Sequence, residues 1–464
     1  MSYTDISEIV LHGEKYAGTK VRVAGWVRTA RDSKTMAFLA LNDGTSLKHL
    51  QIVIDKSKFS SDELAPCLKN GVSVEAEGEV VAAVAAGSGF EINAEALSLI
   101  GDCPSDYPLQ KKYHSMEFLR TVPHLRVRTN TFNAMLRVRS KVSFALHRFF
   151  QERGYTYIHT PIITGSDCEG AGEIFRVTTN GYEDAKTAKD EAEYIARDFF
   201  RRKAGLTVSG QLEGEVAAMA MGKIYTFGPT FRAENSNTPR HAAEFWQIEP
   251  EVAFAKLPDI IKIAESMIKY VIGAVLDECP DEIDFFEKAF EKGLRAKLEA
   301  VVSSDFAVLD YTDAIELLKK ADEKFAYPVE WGLDLQTEHE RYLTEKVLGK
   351  PVFVTNYPKK IKSFYMKQNP DGRTVAATDL LVPGVGEIIG CSEREADYDK
   401  LLEAMTERGM NLDDYKGYME LRKYGTVPHS GFGLGLERIL MYVTGIGNIR
   451  DVQLYSRTAG DLMA

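Results

Sequence analysis

Nothing in the sequence places two cysteines at C-x-x-C spacing. The five present (Cys67, Cys103, Cys168, Cys279, Cys391) are odd in number and far apart, which argues against a disulfide framework or a clustered zinc site. No apolar run approaches the roughly 20 residues of a membrane-spanning helix. The start, MSYTDISEIV, lacks the basic region and apolar core of a secretion signal, so a reducing cytosol is expected. Positive charge is in deficit: a net charge of −11 excludes a surface coated with basic patches, though not a local positive site for nucleic acid. The nucleotide-binding loops G-x-x-x-x-G-K-[ST] and G-x-G-x-x-G are both missing.

With 44% apolar residues over 464 positions, the chain is too long for one core and should form two or more domains. Short strands are expected at Val21 to Val27, Phe38 to Asn42, Leu50 to Ile54, Val72 to Val80 and Phe90 to Ala94, with a helix near Ser61 to Leu68. Five strands and one helix in about a hundred residues suit an OB-fold barrel over 1–102, a fold that often binds single-stranded nucleic acid. Arg28, Arg31 and Lys34 precede Phe38, placing positive charge beside a ring that could stack. The polar, proline-bearing segment 103–130 reads as a hinge. A long amphipathic helix follows, about Thr131 to Arg153, ended by Gly154, then a strand at Tyr155 to Ile158 and Pro161.

The most informative stretch is IYTFGPTFRAENSNTPRHAAEFWQIEPEVAF, residues 224–254. Two alternating runs flank a polar loop, which reads as a long hairpin. Phe245, Gln247, Glu249 and Glu251 share one face of its second arm, while Arg232 and Glu234 face away from the aromatic side of the first. A guanidinium, carboxylates, an amide and a ring on one surface ask for a ligand that is both charged and planar. Ser209 and Gln211, in LTVSGQLEGE, read as strand residues sharing a face. Asp379 and Glu387 read as the heads of two apolar strands, DLLV and EIIG, and paired carboxylates suit Mg²⁺. In HSGFGLGLERILMYVTG a glycine-rich strand runs into a helix whose first turn carries Arg438. The dipole there disfavours a cation and favours an anion, so an anion held by both would resolve the conflict. Segments 178–203 and 256–350 read as insertions, the second helical, with runs at Leu257 to Leu276, Asp284 to Ala300, Thr312 to Ala321 and Glu338 to Leu348.

FRAE followed by RHAAEFWQIE resembles motif 2 of the class II aminoacyl-tRNA synthetases, and its details are similar to the asparaginyl-tRNA synthetases. The helix–strand–proline block resembles motif 1, and the segment around Arg438 motif 3. The HIGH and KMSKS sequences of class I enzymes are absent. The resemblance covers nearly the whole chain. It implies an α+β protein: an OB-fold anticodon-binding domain, then a catalytic domain over 131–464 with an antiparallel sheet flanked by helices. It implies ATP-dependent attachment of asparagine to tRNA(Asn) by a cytoplasmic homodimer paired through the motif 1 helix.

Site residues follow from the same resemblance. Arg232 and Arg438 would act on the phosphates of ATP, Glu234 and Phe245 would hold its adenine, and His241 would be a further phosphate contact. Asp379 and Glu387 would hold Mg²⁺. Glu169, Ser209, Gln211, Glu249 and Arg394 would bind the amino acid, and Phe38, Gln51 and Glu91 the anticodon. One position separates the sequence from the aspartyl relatives, and two places depart from the family. Gly214 stands where aspartyl relatives carry lysine, which removes a charge favouring an acidic substrate. Cys391 stands where the family usually has a second glycine, and its thiol is expected to crowd the ligand if the backbone there comes close to one. The tail QLYSRTAG replaces an apolar, proline-containing ending, with Gln453 for isoleucine and Leu454 and Ser456 for prolines, so looser packing is expected there.

Overall fold

Alternation of apolar and polar residues near the N-terminus produces β1 (Lys20–Asp32), β2 (Met36–Asn42), β3 (Leu50–Asp55), β4 (Ser73–Ala82) and β5 (Phe90–Gly101), closed into a barrel in the order β1-β2-β3-β5-β4. Val23, Leu39, Leu41, Ile52, Ile54, Val74 and Ile92 fill its interior. The helix Ser61–Cys67 starts on a capping box in which Ser60 Oγ accepts from the Glu63 N–H and the Glu63 carboxylate accepts from the Ser60 N–H. Both orphan donors are thereby satisfied, which fixes the start of the helix even with Pro66 inside it. This computed structural model describes residues 3–83, 89–168, 174–235 and 238–462. Its chain divides into two units, Met1–Ala134 and Met135–Ala464. The first unit takes in the 103–130 segment, part of which is helical at Met116–Thr121 and Pro123–Arg126.

The second unit is built on an eight-stranded sheet. After β6 (Thr156–Tyr157) come β7 (Ile163–Thr164) and β8 (Gly205–Leu206), which pair with each other, then β9 (Lys223–Phe231), β10 (Glu244–Ala253), β11 (Ala307–Asp310), β12 (Val352–Thr355), β13 (Ala377–Val382), β14 (Gly386–Glu393) and β15 (His429–Gly435). The order is β11-β12-β13-β14-β15-β10-β9-β6. The pairs are antiparallel except at the two edges, where β11 runs parallel to β12 and β6 to β9. The long helix Asn130–Gln151 covers the aromatic side of the hairpin: His147 and Gln151 both hydrogen-bond the Tyr225 hydroxyl, and Phe150 stacks on its ring 4.9 Å away.

Several local expectations are corrected. Segment 256–350 is not only a helical insertion, because β11 lies within it as an edge strand of the main sheet. The helix expected from Asp284 to Ala300 is two, Pro280–Ala289 and Leu294–Ser303, broken at Gly293 with φ +82°, a conformation glycine adopts without strain. Asp379 is the third residue of β13 rather than its head. Ser209 and Gln211 are not on a strand. Gln211 opens the helix Gln211–Met221 with Gly210 as its cap, and its N–H donates to Ser209 Oγ at 3.1 Å.

Candidate active site

One face of the sheet forms the floor of a cavity of about 410 Å³. On β10, Phe245, Gln247, Glu249 and Glu251 alternate with buried Ile248 and Val252 and all line it. Across from them β15 carries Gly431, Gly433 and Gly435 in register. Their spacing is set by crowding. A Cβ on Gly431 would stand 2.0 Å from Glu251 Oε2 and 2.6 Å from Arg394 Nη2, and one on Gly433 3.4 Å from Gln247 Nε2. The glycines leave room for charged groups to converge.

Arg394 and Glu251 anchor one end. The Arg394 guanidinium donates from Nε and Nη2 to Glu251, the shorter contact being 2.8 Å, and from Nη1 to Ser392 Oγ at 2.6 Å. Both partners are almost wholly buried. Those bonds use three of the five N–H groups of an arginine, and Arg394 also lines the cavity. Glu249 is held differently. Its carboxylate accepts from Ser209 Oγ, from the Gly210 N–H at 3.0 Å and from Thr226 Oγ1 at 3.1 Å. All are neutral donors, so its negative charge is left uncancelled by any of them. Gly214 lies beside Ile224 and Thr226 with room for no more than ordinary contact.

At the other end are the phosphate candidates. Arg232 leaves β9, its N–H donating to Ala243 O at 2.9 Å, and its guanidinium stands 5.3 Å from the Phe245 ring centre. Glu234 is exposed at the cavity rim. His241 hydrogen-bonds Thr238 Oγ1 through Nδ1 at 2.5 Å; burial and then Arg438 lower its pKa, so it is a neutral imidazole rather than a cation. Arg438, in the first turn of the helix Leu436–Thr444, donates to Glu387 O at 2.9 Å and lies 3.3 Å from Glu387 Oε2.

Asp379 and Glu387 converge over Gly390: a Cβ there would stand 3.6 Å from Asp379 Oδ1 and 3.5 Å from Glu387 Oε1. Burial and the neighbouring Glu387 push Asp379 up to about 6 against the pull of Lys362, whose Nζ lies 2.5 Å from Asp379 Oδ2. Burial disfavours a charged Glu387 too, but Arg438 and Lys362 hold it below its ordinary value. Carboxylates packed this closely are stabilised by an added cation, so the pair fits a hard divalent metal.

The expected set is thus brought together in one cavity: Ser209, Gln211, Arg232, Glu234, His241, Phe245, Glu249, Asp379, Glu387, Arg394 and Arg438 all line it. Glu169 lies outside the described residues. Cys391 is buried on β14, where burial raises its thiol far above the usual range, and it lines the cavity. In the tail Leu454 is exposed, but the two polar replacements are buried. Gln453 is 7% exposed and donates to Glu244 O at 2.9 Å and Glu437 Oε1 at 3.2 Å, while Ser456 is fully buried. Polar residues there complete a buried network in place of apolar packing.

Sequence reading missed Lys362, Arg240 and Glu340. Arg240 Nη1 donates to the Val385 carbonyl. Glu340, from the segment that carried no motif, accepts from the Glu387 N–H at 3.3 Å and is pushed up to about 7 by burial and by Glu387. Only the charge density of 338–345 marked any of these stretches, and that pattern is not specific.

On the barrel, Phe38, Gln51 and Glu91 stand on adjacent strands β2, β3 and β5. Phe38 pairs with Val53, and Gln51 pairs with Glu91. Their neighbours Leu39, Ile52 and Ile92 point inward, so these three lie on the outer face. Gln51 Nε2 donates to Glu91 Oε2 at 2.7 Å, and Arg31 is in register with Phe38 on β1.

Comparison with known proteins agrees with this layout. The family described as tRNA synthetases class II (D, K and N) matches residues 115–459, and the OB-fold nucleic acid binding domain matches residues 21–100. The asparagine–tRNA ligase of Acetivibrio thermocellus is 54% identical over 458 residues, covering 99% of each chain. That of Clostridium tetani is 55% identical over 460 residues, again covering 99% of each. Among solved structures, asparaginyl-tRNA synthetase from Pyrococcus horikoshii complexed with asparaginyl-adenylate superposes with a TM-score of 0.87 at 34% identity over the full length of both chains. The chain therefore belongs to the asparagine–tRNA ligases, within the class II tRNA synthetases.

Proposed function

We propose that this chain attaches asparagine to tRNA(Asn) in two steps, with the cavity residues assigned as follows. The asparagine carboxylate attacks the α-phosphorus of ATP, forming asparaginyl-adenylate and releasing pyrophosphate. A terminal adenosine hydroxyl of the tRNA then takes the acyl group and releases AMP. No side chain need act as nucleophile; rate comes from positioning and from charge placed where it develops. Arg232 holds the α-phosphate and Arg438 the γ-phosphate. Phe245 stacks on adenine, Glu234 accepts from its amino group, and His241 contributes a neutral hydrogen bond.

Ser209 and Gln211 bind the backbone of asparagine, and Arg394 donates a remaining N–H to its amide oxygen. Glu249 accepts from the amide NH₂. Asp379 and Glu387 are the residues that would hold Mg²⁺, which when bound neutralises charge on the phosphates. Phe38, Gln51 and Glu91 form the anticodon-reading face. A homodimer through the helix Asn130–Gln151 gives a role to Phe144, 62% exposed on that helix. Five free, buried cysteines fit a reducing cytosol, and among the described residues no helix is long and apolar enough to cross a membrane.

The observation that carries this reading is the joint placement of Glu249 and Arg394 at one end of the cavity, with Arg232 and Arg438 at the other. Charging of purified tRNA(Asn) with labelled asparagine, dependent on ATP, tests it. Acylation with asparagine supports the reading, and failure to charge under conditions where adenylate forms would confine the protein to amino-acid activation.

A further inference from the structure

Behind the amino-acid end of the cavity, Glu215 is fully buried and accepts from four donors: Gln211 Nε2 at 3.0 Å, Arg422 Nη2 at 2.7 Å, the Tyr418 hydroxyl at 3.0 Å and His429 Nε2 at 2.9 Å. Glu215, Glu251 and His429 offer ligand atoms within 4.8 Å of one another, a cluster that could otherwise suit a metal. Arg422 and Arg394 already fill it with cations, so it is an ion-pair network. Glu215 itself does not line the cavity; Gln211, one helical turn earlier, does.

We propose that Glu215 is a positioning residue that fixes the amide of Gln211 with its carbonyl oxygen turned into the cavity, as the acceptor for the α-ammonium of the amino acid. This rests on the reading of Gln211 as an amino-acid contact. A carboxylate only accepts, so of the two ends of the Gln211 amide only the NH₂ can face it. Oε1 of Gln211 accepts from none of the described residues and is turned the other way. Burial alone would favour a protonated Glu215, whose O–H could hold the amide in either sense. The charge of Arg422 and the hydrogen bond from His429 overcome it and keep the group ionised. The ion-pair network thus sets the polarity of a neutral side chain that meets substrate, at a distance where Glu215 touches no substrate itself.

Glu215→Gln offers Gln211 either end of an amide, so the carbonyl is no longer imposed. In ATP–pyrophosphate exchange the variant should raise KM for asparagine about tenfold, the loss of one hydrogen bond to a charged group, with kcat and KM for ATP changed far less. Succinamic acid, which is asparagine without its α-amino group, should inhibit parent and variant with the same Ki. Equal weakening of asparagine and succinamic acid would show a merely structural role, and no weakening of either would show that Gln211 is oriented by something else; both overturn the proposal. Gln211→Met in the parent separates the two readings. If it weakens asparagine selectively while Glu215→Gln does not, only the role of Glu215 fails. If it shows no selectivity, the reading of Gln211 fails first. Should Glu215→Gln not fold with Arg422 left unpaired, Glu215→Gln combined with Arg422→Met removes both charges and is read by the same two ligands.

Discussion

The Arg394 guanidinium is locked onto the Glu251 carboxylate at 2.8 Å, with both side chains almost wholly buried. Burial disfavours both charges, and their pairing offsets it. The pair exists only because Gly431 lies beneath it, since any Cβ there would overlap Glu251 Oε2 and Arg394 Nη2 and would also meet the Pro250 carbonyl at 2.6 Å. Backbone cannot move aside as a flexible side chain can. Gly431→Ala should therefore lower asparagine activation by at least about a hundredfold, the scale expected when a positioned group is misplaced by about 1 Å. Pyrophosphate exchange measures it. Parent-like activity would mean that the pair tolerates displacement.

Glu437 connects the tail to the sheet: it accepts from Arg139 Nη2 at 2.8 Å, from Gln453 Nε2 at 3.2 Å and from the Trp246 N–H at 3.0 Å. Gln453→Ile removes one of those donors and also strands the Glu244 carbonyl. Glu437 keeps Arg139 and the Glu244 carbonyl is part-buried, so the loss is that of hydrogen bonds worth about 1 kcal/mol each, and thermal unfolding should occur at lower temperature in the variant. A higher melting temperature would show that apolar packing at this position outweighs the network.

Phe38 is half-buried on the outer face of the barrel rather than in its core. Base–aromatic stacking contributes roughly 1–3 kcal/mol per base. Phe38→Ala should weaken tRNA charging by about one to two orders of magnitude and leave pyrophosphate exchange intact. A matching fall in both activities with reduced stability would assign the ring to packing instead.

His49 supplies a pH dependence. Its Nδ1 lies 3.2 Å from Asn42 Nδ2, and an unprotonated ring nitrogen can accept there. Burial and the nearby Arg28 push its pKa down to about 4, against about 6.5 in an unfolded chain. The unfolded chain therefore binds a proton below about 6.5 that the native state refuses until about 4, so stability falls as pH drops through that window. Replacing His49 with asparagine should shrink the loss of melting temperature between pH 7 and pH 5. An unchanged loss would place the titration elsewhere.

Much of the site was legible because strand alternation is local. Phe245, Gln247, Glu249 and Glu251 had to share a face once β10 was a strand, and Arg438 had to lie in a first helical turn. The helix beginning at Gln211 was not legible as such, because Ser209 and Gln211 alternate like strand residues until Gly210 is known to cap a helix. Which carboxylate holds Arg394 was equally hidden. Glu249 and Glu251 share a face two residues apart, and only the register of β10 against β15 and β14 puts Glu251 over Gly431 and beside Arg394. Lys362 lines the cavity and Glu340 accepts from the Glu387 N–H, both through long-range contacts that no local pattern encodes. The tail misled because Gln453 and Ser456 look like losses of packing until Glu437 is seen to need a donor.

The site must choose asparagine over aspartate. The two substrates are nearly the same size, so charge and hydrogen-bond direction must separate them. Arg394, half-committed to Glu251, would attract aspartate more strongly than asparagine. In the proposed assignment Glu249 opposes that: held by neutral donors among the described residues, it would accept from an amide NH₂ and repel a carboxylate. Each factor of ten takes about 1.4 kcal/mol, more than one neutral hydrogen bond contributes, whereas a like-charge contact can cost several. The direct measurement is kcat/KM for asparagine and for aspartate in ATP–pyrophosphate exchange, on the parent and on Glu249→Gln. The parent should use asparagine and reject aspartate by orders of magnitude, and the variant should lose asparagine activity and narrow the ratio at least tenfold. A parent that activates aspartate comparably, or a variant that rejects aspartate as firmly as the parent, would contradict that assignment.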